Sequence, residues 1–153
     1  HTYQPIRQLL SLLALDERHR ARFTFEHGRV RSAGDGRLIT LTFKERRGPT
    51  LIRNLDGGNA FAAGEVTVEA GTGRVTNAIL AATIGSVRAT LSTSYAFEER
   101  LGIMVPVRFG EHYQDGLARR PVAKAEAGQR FEGILCEATY TNFRRFSVTS
   151  RIR

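Results

Sequence analysis

From Val87 to Tyr113 the chain alternates apolar and polar residues twice in succession, and only folds with a long antiparallel hairpin accommodate that pattern. Val87, Ala89, Leu91, Tyr95 and Phe97 fall on one side of an extended segment, and Arg88, Thr90, Ser92, Ser94 and Glu98 on the other. A period of 2 is what a strand with one buried face requires. The second run repeats it with Ile103, Val105, Val107, Phe109 and Tyr113 on one face. Matching the two apolar faces predicts a three-residue loop, Arg100-Leu101-Gly102, with Glu99 opposite Ile103. Phe97 is then expected to meet Val105, Tyr95 to meet Val107 and Thr93 to meet Phe109. Gly102 is expected to take the left-handed position of the turn. Pro106 has no amide hydrogen to give a ladder, so it marks an edge or a bulge.

The same period recurs elsewhere. Phe23 and Phe25 align in 21–26, and Ile39, Leu41 and Phe43 in 38–45. Residues 64–69 and 74–83 form a second hairpin candidate across Ala70-Gly71-Thr72-Gly73. Residues 130–140 and 146–152 complete the set, with Phe146, Val148 and Ile152 aligned in the last. His27-Gly28, residues 32–36 and residues 56–59 read as turns. A short extended piece lies at 49–53, and a polar stretch of about a dozen residues at 115–128 exceeds the usual loop length. Only 5–15 has helical spacing, with Pro5 in the first turn and Ile6, Leu9, Leu10 and Leu13 on one face.

Strands in succession with no alternating helices exclude doubly wound and α/β-barrel folds. The expected fold is mainly β, of the α+β class. It is a curved antiparallel sheet or half-barrel of about seven or eight strands, with the N-terminal helix packed on its concave face. At 153 residues the chain suits one domain, and 41% hydrophobic residues suffice for a core. No apolar run is long enough for a membrane-spanning helix.

The formal net charge of +8 attracts anionic partners in general. The arginines are spread along the strands, and no nucleic-acid-binding signature accompanies them, so no specific nucleic-acid partner is expected. The single cysteine, Cys136, rules out an intrachain disulfide and reads as a small buried hydrophobe in a strand rather than a nucleophile.

Catalytic chemistry finds little purchase. Glu111-His112-Tyr113 is the most enzyme-like triplet, yet strand neighbours point to opposite faces. Glu98 and Glu99 diverge in the same way beside a turn. His19, His27, His112 and Cys136 have no metal-ligand spacing, and the glycine pairs do not join a strand to a helix. No catalytic residue, cofactor or metal is therefore assigned. The string Tyr140-Thr141-Asn142-Phe143-Arg144-Arg145-Phe146 is distinctive. Asn142 suits a turn, and Arg144 and Arg145 beside aromatic rings form an anion or cation–π contact or, more simply, mark a kink between strands.

The shared apolar face offers one ligand site. Phe23, Phe25, Phe43, Leu91, Tyr95, Phe97, Val107 and Phe109 are the expected lining of a surface for an apolar ligand, with Leu9, Leu10 and Leu13 of the helix gating it. The alternative is that the helix and the sheet's own side chains fill that face.

Four segments carry a resemblance. Residues 49–53, residues 64–75 (Gly64-Glu65-Val66-Thr67-Val68-Glu69-Ala70-Gly71-Thr72-Gly73-Arg74-Val75), residues 99–107 and residues 138–146 resemble uncharacterised secreted or periplasmic proteins of acidobacterial type. The likeness extends roughly from Leu9 to Val148. Such proteins carry a further upstream segment with an export signal, so the resemblance implies the C-terminal part of a longer exported protein. More distantly, the strand pattern resembles the LolA and LolB lipoprotein carriers. That likeness implies a periplasmic location and a lipid, lipoprotein acyl chain or envelope protein as partner. The expected function is a noncatalytic envelope domain that binds an apolar ligand. Two alternatives stand beside it: a ligand-free structural or protein-interaction module, and an enzyme built around His112.

Overall fold

The structure is a computed structural model that describes residues 12–34, 36–115 and 133–145. A 3₁₀ turn over residues 12–15 leads into α1 (Glu17–Arg20), whose N-cap Asp16 accepts a hydrogen bond from the Arg18 amide. Among the described residues nine strands follow: β1 (Phe23–Ala33), β2 (Gly36–Glu45), β3 (Ile52–Arg53), β4 (Asn59–Ala60), β5 (Ala62–Glu69), β6 (Val75–Ile84), β7 (Val87–Glu98), β8 (Ile103–Asp115) and β9 (Ile134–Thr139). Seven of them form one antiparallel sheet in the order β1-β2-β5-β6-β7-β8-β9, and β3 pairs with β4 alone. The sheet is a meander, each strand lying beside its chain neighbour apart from the β3–β4 excursion.

Register divides every strand between two faces. On the core face one row runs Leu41, Val66, Ala78, Thr93, Phe109 and Ala138 across six strands. The next runs Phe43, Gly64, Leu80, Leu91, Glu111 and Cys136, the cysteine being exposed on the outermost of the described strands and not buried as its strand pattern suggests. Outer-face rows are mostly polar or small, among them Thr40, Thr67, Asn77, Ser94 and Arg108, with Ile79 an aliphatic exception between Glu65 and Ser92. One-sided burial is what the period-2 alternation demands.

Several expectations are corrected. The sheet is neither closed nor curled, so it forms no half-barrel and has no concave face for a plug. Hairpin meander connections set neighbour order only; closure needs tilt and stagger that alternation does not encode. The helix expected over 5–15 falls mostly outside the described residues, and its last residues make only the 3₁₀ turn. The 146–152 strand and most of the 115–128 stretch also lie outside them. His27-Gly28 is no turn: β1 runs through it with a bulge between His27 and Val30. Gly28 is required there, because a β-carbon would stand 2.6 Å from the Thr40 carbonyl oxygen.

The β7–β8 hairpin differs from the face-matched register at its tip. Glu98, not Glu99, pairs with Ile103, so the loop holds residues 99–102. Phe97 therefore meets Met104 and Tyr95 meets Pro106, while Thr93 meets Phe109 as expected. A register shift between Ser94 and Tyr95 reconciles the two halves, and Pro106 sits at that bulge. Gly102 has φ of +67°, as its turn position requires.

Candidate functional site

The core face gathers most of the predicted ligand residues, chiefly as packed interior. Phe23, Phe43, Leu91, Tyr95 and Phe109 are buried in one cluster with Ala14, Ala62, Val66, Ala78, Leu80 and Ala82. Phe25 is partly buried against it. Phe23 and Phe43 pack edge to face at 5.7 Å, and Phe25 lies 6.3 Å from Phe43. Phe97 and Val107 are not in the buried cluster. Phe97 is 39% exposed at the hairpin end, and the Arg74 guanidinium stands 3.7 Å above its ring. Val107 is half-buried beside the bulge.

Of the gating residues, Leu9 and Leu10 lie outside the described residues. Leu13 is half-buried in the 3₁₀ turn, whose contacts with the cluster come instead from Leu12, Ala14 and Leu15. Arg144 and Arg145 are exposed in an irregular segment. Neither forms an ion pair among the described residues, and the cation–π contact found is that of Arg74. Asn142, with φ of 58°, takes the turn conformation its side chain favours.

Among the described residues Leu51 and Ile52 of the β2–β5 connection pack on the cluster from one end of the strands, and Tyr140, whose amide donates to the Val107 carbonyl, packs on it nearer the other. Toward the other end the apolar residues are left partly open. Ile39, Val68 and Val75 are paired in a row and all half-buried. Beyond them Phe97 pairs with Met104, the latter half-buried. The core face thus ends in an apolar margin across β2, β5, β6, β7 and β8.

The enzyme-like triplet is split. Glu111 lies in the core-face row between Leu91 and Cys136, whereas His112 pairs with Thr90 and Leu135 and is exposed. Among the described residues no group of three histidine, cysteine or acidic side chains is placed to hold a metal. None of their helices is long and apolar enough to cross a membrane.

A polar centre that the alternation signalled but the reading passed over is Glu45. It is buried, 4% exposed, at the end of β2. One carboxylate oxygen accepts from the Leu51 amide at 3.0 Å and the other from the Ala62 amide at 3.1 Å. Thr50 continues the network, donating to the Ile52 carbonyl and accepting from the Ala60 amide at 3.1 Å. Arg22 donates to the Pro49 carbonyl beyond a cis Gly48–Pro49 bond. The network holds the β3–β4 excursion over the cluster. Glu45 follows Ile39, Leu41 and Phe43 in the same parity, so a carboxylate in an apolar register was its sequence signal.

Compared with protein-family models, curated proteins and solved structures, the chain matches none.

Proposed function

We propose that this chain is a noncatalytic binding domain that holds an apolar ligand, a lipid or the acyl chain of a lipoprotein, against the core face of its open sheet. The observation that carries the reading is the unfinished apolar margin formed by Ile39, Val68, Val75, Phe97 and Met104. A fully covered core would bury these side chains. Left partly open, they offer an acyl chain an apolar floor with the Arg74 guanidinium over Phe97, and burial there contributes about 25 cal/mol per Å². The ligand in this reading lies along the margin, while Phe23, Phe43, Leu91, Tyr95 and Phe109 form the fixed platform behind it. A periplasmic or secreted location belongs to the same proposal and rests on the resemblance to envelope proteins.

The test is native mass spectrometry of the purified protein combined with lipid extraction. An adduct of acyl-lipid mass is expected, and Phe97→Asp is expected to remove it while leaving the fold intact. Absence of co-purified lipid, together with failure to bind a fluorescent fatty acid, overturns the reading.

One observation favours a second reading, a protein-interaction module. Among the described residues β9 is an edge strand, and it exposes Ile134 at 48% and Leu135 at 68%. Exposed aliphatic residues on a sheet edge invite an added strand, here from an envelope protein partner. Size-exclusion chromatography with and without Leu135→Lys separates the readings, since only the interaction module loses its partner.

A further inference from the structure

The outer face carries a feature that the apolar reading leaves unused. Two depressions lie on it and share Glu65. The larger, an open groove of about 530 Å³, is lined by Arg29, Arg31, Thr40, Glu65, Thr67 and Asn77 among others. The smaller, of about 360 Å³, continues past Glu65 to Ile79, Ala81, Thr90, Arg88 and Phe61. Together they form a trough running from β1 to β7. Five adjacent strands span four inter-strand gaps, roughly 19 Å at about 4.8 Å each.

The side chains explain the shape. Central strands contribute small residues, Ala63 and Ala81, and short polar ones, Thr40, Thr67, Asn77 and Thr90. Long side chains stand at the two ends, Arg29 and Arg31 at one and Arg88 with Phe61 at the other. Floor hydroxyls are already oriented by one another: Thr40 lies 3.4 Å from Thr67, and Ser94 donates to Asn77 at 3.3 Å. The charged groups are not so engaged. Among the described residues Arg29, Arg31, Arg88 and the half-buried Glu65 form no ion pair or side-chain hydrogen bond with each other or with a neighbour. Arginines on an edge strand also discourage strand addition. That role fits Arg29 and Arg31 on β1, but neither Arg88 nor Glu65 is on an edge strand.

We propose that this trough binds an acidic oligosaccharide. Guanidinium groups at both ends match carboxylates by paired charge-assisted hydrogen bonds. The hydroxyl and amide floor exchanges hydrogen bonds with sugar hydroxyls. The Glu65 carboxylate, an acceptor only, takes donated hydroxyl protons at the centre. A nucleic acid fits less well, because the lining offers one exposed ring, Phe61, and no series of aromatic platforms for successive bases.

The decisive variant is Glu65→Gln, for which the two chemistries predict opposite signs. The probes are tetragalacturonate, neutral maltotetraose, single-stranded DNA and polyglutamate, read by calorimetry and by amide chemical-shift mapping on the full chain. Expected are binding of tetragalacturonate with shifts at Glu65, Thr67 and Asn77, and binding of maltotetraose at least tenfold weaker. Arg31→Ala and Glu65→Gln are each expected to weaken binding about tenfold, while Arg53→Ala outside the trough leaves it unchanged. Binding strengthened by Glu65→Gln overturns the proposal, as does equal or tighter binding of DNA or polyglutamate. Equal losses from Arg31→Ala and Arg53→Ala, or no binding of tetragalacturonate, overturn it as well. Neither lipid capture nor its absence bears on this outcome, because the trough is on the opposite face of the sheet.

Discussion

Phe43 packs against the space that a side chain at Gly64 would occupy. A β-carbon there would stand 2.7 Å from Cζ of the Phe43 ring and 2.0 Å from the Ile79 carbonyl oxygen. Gly64 pairs with Phe43 on one side and Leu80 on the other, so the missing side chain lets two large residues meet across β5. Phe43 is 1% exposed and Leu80 fully buried, which leaves neither free to retreat. Gly64→Ala is therefore expected to destabilise the domain by about 3 kcal/mol or more, through overpacking against backbone. Gly71, with open space around its added β-carbon, is the control. Urea midpoints for Gly64→Ala and Gly71→Ala check the contrast, and equal midpoints refute it.

Alternation made the sheet legible but left its closure undetermined. In β7, Leu91 and Thr93 on one face and Ser92 and Ser94 on the other follow from spacing alone, and the structure keeps them so. The hairpin tip was less readable. Matching apolar faces assumed one constant register, whereas a bulge near Pro106 absorbs the offset of the four-residue loop. Proline announced the irregularity without fixing its count. Curvature left no sequence trace, since period 2 is the same in flat and rolled sheets. Most of the residues expected to line an apolar face lie in the core cluster, yet their packing density depends on what covers them. The outer trough was invisible, because Arg29, Glu65 and Arg88 come to line one trough only through strand order.

Glu45 is the point where the β3–β4 excursion is tied to the sheet. Its two oxygens serve two different backbone amides, Leu51 and Ala62, and Ala62 is buried. Removing the carboxylate leaves both donors without that acceptor, at about 1–3 kcal/mol each. Glu45→Ala is expected to cost about 2–6 kcal/mol, and Glu45→Gln less, because one oxygen remains. Hydrogen exchange should show the loss first at Leu51 and Ala62. Unchanged protection at both amides would contradict the tether.

Leu80 sits at the centre of the core-face rows, fully buried between Gly64 and Leu91. Leu80→Ala is expected to cost about 2–5 kcal/mol from lost burial and the cavity left behind. Leu55, 97% exposed in the excursion, contributes no such burial, and Leu55→Ala is expected to fall within about 0.5 kcal/mol of the parent. Thermal melts of the two variants measure the difference directly. A comparable loss for both would mean that the excursion, and not the sheet face, carries the core.

The hairpin tip couples one carboxylate to pH. Arg100 Nε donates to Glu98 Oε1 at 2.9 Å, and the Arg100 amide donates to the same oxygen at 3.3 Å. The Arg100 side-chain hydrogen bond, followed by the guanidinium's charge and the amide bond, holds the Glu98 carboxyl below its ordinary value despite some desolvation. Arg100 is correspondingly raised. A carboxyl with a lower pKa folded than unfolded stabilises the fold above the unfolded value. That contribution is lost as pH falls through the folded one. Because the pair is at the surface, the effect on global stability is expected to be small and to shrink with salt. The titration itself is the sharper readout. Carbon-detected NMR of the Glu98 carboxyl should give a midpoint below that of an unpaired glutamate, and Arg100→Ala should move it upward. If Arg100→Ala leaves the midpoint in place, the pairing in the loop after β7 does not persist in solution.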